Sequence, residues 1–253
     1  MIQSRLKKIL YALLALGFWL LLWEILARGL DVDFIFPTVS ATVRALLSLL
    51  GRGAFYKSVA FSLLRVLLGF AFGLCTGALL AILAHYIPLI GALITPLMSI
   101  VKATPVASFI MVLWCFIGAS PVPIVIGALM VAPLIYHNLF DALGTKNPEL
   151  SEICEIYEAK GFKKFRLLYL PVIFEFLIPA AVAGMGLCWK ASVAAEIIAY
   201  TKDSIGREIY LSKAFLEGAE LFAYTAVVIV LSLLFERAMH FLGEAVKKKC
   251  HLD

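Results

Sequence analysis

Six apolar runs, each near the length needed to cross a bilayer, constrain this chain more than any other feature. A spanning helix needs about 20 predominantly apolar residues, and such runs fall at 9–27, 59–84, 94–118, 122–140, 171–199 and 221–241. Of the 253 residues, 63% are apolar and 15% charged, against roughly 45–50% and 25% in an ordinary soluble domain. A soluble fold of this size cannot hide that excess, because much of a small protein's surface must face water. The composition therefore excludes a soluble enzyme, a disordered chain and a nucleic-acid-binding module. A single transmembrane domain over residues 1–253 accounts for the length, and its solvent is the lipid bilayer.

The first run, Ile9 to Ala27, follows Arg5, Lys7 and Lys8 and ends without a small-residue cleavage site. It is expected to remain as a span whose N-terminus lies inside. Asp31, Asp33, Pro37, Thr38 and Ser40 then break the apolar sequence, and Val39 to Leu50 reads as a short amphipathic helix on the outer surface. Arg65 lies about 9 Å inside the second span at 1.5 Å per residue, and is expected to snorkel toward the headgroups. Pro88, Pro96 and Pro105 interrupt the next stretch, which divides best into a surface turn and a third span at 94–118. Residues 141–169 form a long polar segment between the fourth and fifth spans.

Six spans put both termini on one side, and basic residues decide which. Thirteen Lys and Arg fall on one set of connecting segments and seven on the other, with Arg65 and Lys190 inside spans. Cytoplasmic segments carry the basic excess, so both termini are expected inside. The fold class is an all-α polytopic membrane protein with six transmembrane helices, N-in and C-in.

No catalytic constellation emerges. The chain lacks a GxxxxGK[ST] phosphate loop, HExxH and GxSxG, so it has no nucleotide site of that type. Ser99-Ile100-Val101-Lys102 matches SxxK only formally, and His85, His137 and His240 stand isolated, as interface or packing histidines do. The five cysteines form neither a CxxC pair nor a metal-ligand spacing, which argues against a disulfide framework or a zinc site. No metal, cofactor or catalytic residue is expected.

The polar segment is the informative one. Glu149, Glu152, Glu155 and Glu158 recur every three residues, and Lys160, Lys163, Lys164 and Arg166 follow. Acidic residues early and basic residues late suit a helix dipole. A solvated linker is the bland alternative. Ile153, Ile156, Tyr157, Phe162, Phe165 and Leu167 instead fit short helices that lie at the membrane surface and dock into a partner.

This segment, ending in Tyr169-Leu170-Pro171, resembles the coupling region of permease subunits of bacterial ABC importers, in the branch serving nitrate, sulfonate, taurine and pyrimidine-precursor uptake. The family pattern is Glu-Ala-Ala with Gly six after the Glu and Leu-Pro closing the loop. Counting back from Pro171 gives Glu152-Ile153-Cys154 in place of the tripeptide and Glu158 where Gly is expected. The other register, Glu155 to Gly161, restores the six-residue spacing but brings Leu170-Pro171 three residues early. Phe36-Pro37-Thr38, the stretch from Ser62 to Phe70, and Trp189 to Glu196 resemble further family signatures, in order, so the likeness covers residues 30 to 240.

The resemblance implies a type I ABC importer permease in the bacterial plasma (inner) membrane, which forms the solute path but hydrolyses nothing itself. It implies two copies of an ATP-binding cassette ATPase subunit, a second permease copy as a homodimer, and an extracytoplasmic solute-binding protein that delivers a small, anionic or heterocyclic organic solute. Glu152, Glu155, Glu158, Ala159 and Gly161 are the candidates for docking the ATPase, and Leu170 and Pro171 fix where the segment meets the fifth span. Trp189, Lys190 and Glu196, near the outer mouth, are candidates for the pathway or its gate, because ionisable groups in spans face the protein interior or a water-filled path. A structural inter-helix pair, or placement at the interface, is the competing role for the charged ones.

Gly69, Gly73 and Gly77 allow close helix contact, within one subunit or across a dimer. A stand-alone, ion-coupled secondary transporter is the alternative function. It predicts inverted repeats and midplane charges, and it leaves the polar segment without a task.

Overall fold

The computed structural model describes residues 2–30, 32–145 and 170–249. They form helices only: α1 (Ile2–Leu30), α2 (Val39–Leu50), α3 (Gly53–Tyr86), α4 (Pro88–Ala103), α5 (Val106–Ile117), α6 (Val122–Gly144), α7 (Leu170–Ile198), α8 (Ile205–Ala214) and α9 (Gly218–Lys249). Five of these are long and apolar enough to cross a membrane, and α4 with α5 makes a sixth if that bent pair is one span.

The expected third span at 94–118 is not one straight helix. Its helical segment begins at Pro88, and α4 and α5 meet at an angle of 104°. Pro105 is the cause. It lacks an N–H for the helix ladder and pushes the preceding residue toward extended backbone, and Thr104 sits at φ −77°, ψ 135°. Pro96, by contrast, is accommodated inside α4.

α2 follows the predicted bounds. The Thr38 hydroxyl accepts from Ala41 N at 3.2 Å and caps the helix, satisfying one of its free N-terminal donors. Glu24 of α1 accepts from Val39 N at 2.8 Å, and Trp23 donates to the Pro37 carbonyl at 3.0 Å. These bonds, with the Trp23, Phe36 and Phe222 rings, hold α1 at its outer end. Below them Leu10, Leu13, Leu14, Phe18, Leu21 and Ile25 are exposed, as expected of a helix that is apolar on every side and has lipid for solvent.

The centre of the bundle is α6, which packs against both α3 and α7. The glycine stripe of α3 makes the first contact possible. A Cβ on Gly69 would lie 2.8 Å from the Ile124 carbonyl oxygen, and one on Gly77 would lie 2.5 Å from that of Ala132. The stripe therefore packs within the chain, backbone against backbone. A core of Val66, Phe70, Val131, Ile135, Met185, Trp189 and Tyr224 ties α3, α6, α7 and α9 together.

Candidate functional site: a buried ion pair and the segment between α6 and α7

At the end of the bundle that the basic-residue bias assigns to the outside, α7 stops at Ile198 and the chain turns into α8. Tyr200 and Asp203 adopt positive φ (53° and 48°) in that turn, a conformation that L residues with a Cβ rarely take. Side chains from α3 and α7 hold it. Arg65 donates to the carbonyl of Lys202 at 2.8 Å and to that of Asp203 at 3.0 Å. Its Nη1 also meets Glu196 Oε1 at 3.2 Å.

Glu196 is fully enclosed. Its Oε2 accepts from Ser62 Oγ at 2.7 Å and from Gly206 N at 3.2 Å. Ser62 Oγ in turn accepts from Ile205 N at 2.9 Å. Gly206 lies so close that a side chain there would collide with the Glu196 side chain. Both carboxylate oxygens of Glu196, the Ser62 hydroxyl and both terminal nitrogens of Arg65 have partners, which lowers the penalty for burying charge. Ser204 caps α8 by accepting from Arg207 N, and Thr201 donates to the Ala119 carbonyl at 2.9 Å, tying the turn to the end of α5 and the start of α6. The arrangement clamps turn, α8, α3 and α7 into one outer unit.

Arg65 thus does not stretch outward as expected: its side chain is buried in the clamp, where a carboxylate and two carbonyls take its guanidinium. Around the turn, the electrostatics are milder and exposed to solvent. The Lys57 ammonium, 3.0 Å from the Asp203 carboxylate, holds that carboxyl below its usual range. Burial pushes the Glu208 carboxyl up, against the pull of Arg207.

The three residues expected near the outer mouth are not gathered into one group. Glu196 joins the clamp. Trp189 is fully buried two turns away, donating to the Val228 carbonyl at 3.1 Å and packing on Phe235 of α9. Lys190 is exposed. Leu170 and Pro171 are half-buried at the start of the described part of α7. Glu152, Glu155, Glu158, Ala159 and Gly161 lie outside the described residues.

Ser62 and Gly206 were not anticipated as partners of Glu196, nor the turn carbonyls as partners of Arg65. One signal for them was available. Ser62 and Arg65 are three apart, hence on one face of α3, and an arginine in an apolar span needs an acid at similar depth. Among the described residues, no group of three or more His, Cys, Asp and Glu side chains could hold a metal ion.

Comparison with known proteins places this architecture. A family model described as binding-protein-dependent transport system inner membrane component matches residues 73–248. A putative ABC transporter permease protein of Methanocaldococcus jannaschii is 21% identical over 231 residues, covering 88% of this chain and 85% of the relative. The taurine transport system permease protein of Escherichia coli K12 is 23% identical over 230 residues, covering 87% and 82%. Among solved structures, an inward-facing conformation of a methionine ABC transporter is similar in fold, with TM-score 0.59 and 19% identity over 79% of this chain and 97% of that one.

Proposed function

The chain belongs to the family of binding-protein-dependent transport system inner membrane components, and from that premise we propose that it forms half of the pathway of an ATP-driven importer for a small organic solute. It is a permease subunit of the ABC importer type, a multi-pass protein of the inner membrane. The observation that carries the proposal is the span of the family match. It runs from residue 73 to 248, across the polar segment and the long helices on both sides.

A chain without a phosphate loop must draw its energy from a partner. In this reading two ATPase subunits sit beneath a permease homodimer, and an external binding protein supplies the solute. Glu152, Glu155, Glu158, Ala159 and Gly161 dock the ATPase, and Leu170-Pro171 joins the docked segment to α7. Closure of the ATPase pair moves that segment, and α6 and α7 tilt with it. Because the clamp fixes α3, α7 and the outer turn to one another, such a tilt reaches the outer mouth as the movement of one body. Glu196 serves the gate by holding that body together, with Trp189 seating α7 on α9 and Lys190 left free toward the path. The Escherichia coli relative is named for taurine, which supports a solute bearing an acidic group.

Affinity purification of the tagged chain from its own cells, followed by reconstitution, tests the proposal. An ATPase chain should co-purify, and uptake of labelled taurine or a related sulfonate should require hydrolysable ATP and the binding protein. Transport by the lone chain under an ion gradient would establish the secondary carrier instead.

A further inference from the structure

The rings of Trp189 and Phe235 meet inside the α7–α9 contact, their centroids 5.4 Å apart, and the Trp189 indole donates to the Val228 carbonyl at 3.1 Å. The next residue on each helix is charged, Lys190 on α7 and Glu236 on α9. The two helices run antiparallel, since α7 ends and α9 begins at the outer side. One step along each chain, about 100° of rotation, therefore turns both side chains toward the same side of the helix pair. That side is open. Ala191 and Ala195 of α7 pack with Ile110 of α5, Trp189 packs toward α9, and Leu187 and Lys190 on the arc between them are exposed.

Gly186 brings the two charges together. Glu236 Oε1 lies 2.9 Å from where a Cβ on Gly186 would be, so the carboxylate rests over the bare backbone of α7. Lys190 stands one turn further out on that same helix face. A Cα–Cβ bond leans toward the N-terminus of its own helix. Lys190 accordingly leans inward toward Gly186, away from the nearer headgroups, and Glu236 leans outward toward Lys190. About 6 Å of rise separates Lys190 from the glycine, within reach of a flexible four-carbon stem.

Both residues lie well inside their spans. Lys190 is eight residues, about 12 Å, from the outer end of α7 and twenty residues from Leu170. Glu236 is eighteen residues from the start of α9 and thirteen from Lys249. Charges at such depth are costly unless they are paired. Among the described residues neither is in an ion pair, and the other candidates are engaged or out of register. Glu196 belongs to the clamp, His240 meets Glu244 at 3.6 Å, and α5 carries no charged residue. Glu175 lies fifteen residues inward of Lys190 on α7. Arg237, next in sequence to Glu236, is turned about 100° away from it.

We propose that Glu236 is the counter-charge of Lys190, and that in the membrane-embedded importer the two close into an ion pair over Gly186 on the open side of α7 and α9. Glu236 is a positioning residue: it holds the Lys190 ammonium on the path side with its charge balanced. The proposal deepens the importer reading, on which its uptake arm rests. Unlike the enclosed Arg65–Glu196 clamp, this pair is accessible from one side.

The test uses the assembled transporter carrying Lys190→Cys and Glu236→Cys, with Cys75, Cys115, Cys154 and Cys250 changed to Ser and the buried Cys188 left in place. A short bifunctional methanethiosulfonate reagent should consume both thiols within one chain and give no dimer band on a non-reducing gel. A covalent dimer, which would make the partner's Glu236 the counter-charge, or the absence of any cross-link overturns the proposal. With the native cysteines restored, Lys190→Ala and Glu236→Ala should each cut ATP-dependent uptake about tenfold, a coupling within the range of contacting residues. Lys190→Arg should transport normally, and the exchange Lys190→Glu with Glu236→Lys should recover most of the loss, which a merely structural contact would not. If a single variant fails to assemble with the ATPase, assembly becomes the readout, and Lys190→Ala with Glu236→Ala must recover what either alone loses. Independent effects of the two substitutions overturn the proposal. Cross-linking needs no turnover, so loss of ATP-dependent uptake in the unmodified transporter sinks the importer reading and leaves the cross-link to decide the pair.

Discussion

Glu196 and Arg65, 131 residues apart in sequence, meet 3.2 Å apart between α7 and α3 with side-chain exposures of 1% and 11%. A buried pair of this kind costs about 3–5 kcal/mol when one member is removed, because the other is left as an uncompensated charge. Glu196→Ala or Arg65→Ala should therefore lower the melting temperature of the purified protein severely. Arg65→Ala with Glu196→Ala should lose less than the two single losses combined. A double-mutant cycle by thermal unfolding in detergent measures this, and strict additivity would show that the pair is not coupled.

Close approach of α3 and α6 makes a second expectation. Gly73→Leu should prevent stable expression, since even a Cβ there would lie 2.6 Å from that of Val131. Gly17→Leu should be neutral, because nothing lies within 4 Å of a Cβ on that residue. Fluorescence-detected size-exclusion profiles separate the two, and overpacking of this kind costs about 1–3 kcal/mol or more.

Asp203 and Glu208 should respond to pH with opposite sign. The Asp203 carboxyl is held low by Lys57, so its contribution is present above the unfolded value, about pH 4, and is lost as pH falls through the folded one. Glu208 is raised by burial, so stability declines as pH rises through its folded value, and Glu208→Gln should raise the melting temperature at pH 8 but not at pH 4. Asp203→Asn should do the reverse, lowering it at neutral pH with little effect at pH 3. Melting curves over pH 3–8 check both signs.

The docking role proposed for the inner segment is open to a direct test. Gly161→Trp or Ala159→Trp should leave membrane insertion intact while ATP hydrolysis proceeds without uptake. Cys154 should react with thiol reagents from the cytoplasmic side and be shielded by the bound ATPase. Normal uptake in the Trp variants, or labelling of Cys154 only from outside, would remove the segment from this role.

Much of the architecture was legible because bilayer length and apolar runs are both one-dimensional. Val39–Leu50 was readable to the residue, since Pro37 and Thr38 interrupt the apolar sequence before it and its own pattern is amphipathic. Ends of the long helices were less so. α3 starts at Gly53 rather than 59 and α9 continues to Lys249 rather than 241, because helices persist through the headgroup layer where polar residues interrupt the hydropathy signal. The elbow at Pro105 was hidden among three prolines, of which Pro88 and Pro105 each follow an extended residue at a helix break while Pro96 continues inside α4. That Arg65 and Glu196 are each other's partners was not legible, although an inter-helix pair was one role open to Glu196. The pairing depends on which helices become neighbours, and no local spacing encodes that.

Among the described residues, α1 is fastened to the rest of the chain at one end, through Trp23 and Glu24, and its apolar side chains from Leu10 to Leu21 are exposed. Its inclination is accordingly set by the lipid. Where the surrounding leaflets thin or thicken, this helix can lean or straighten without disturbing the α3–α6–α7 core. The conduit is thereby insulated from local variation in the membrane it serves, with its first helix acting as the compliant fitting.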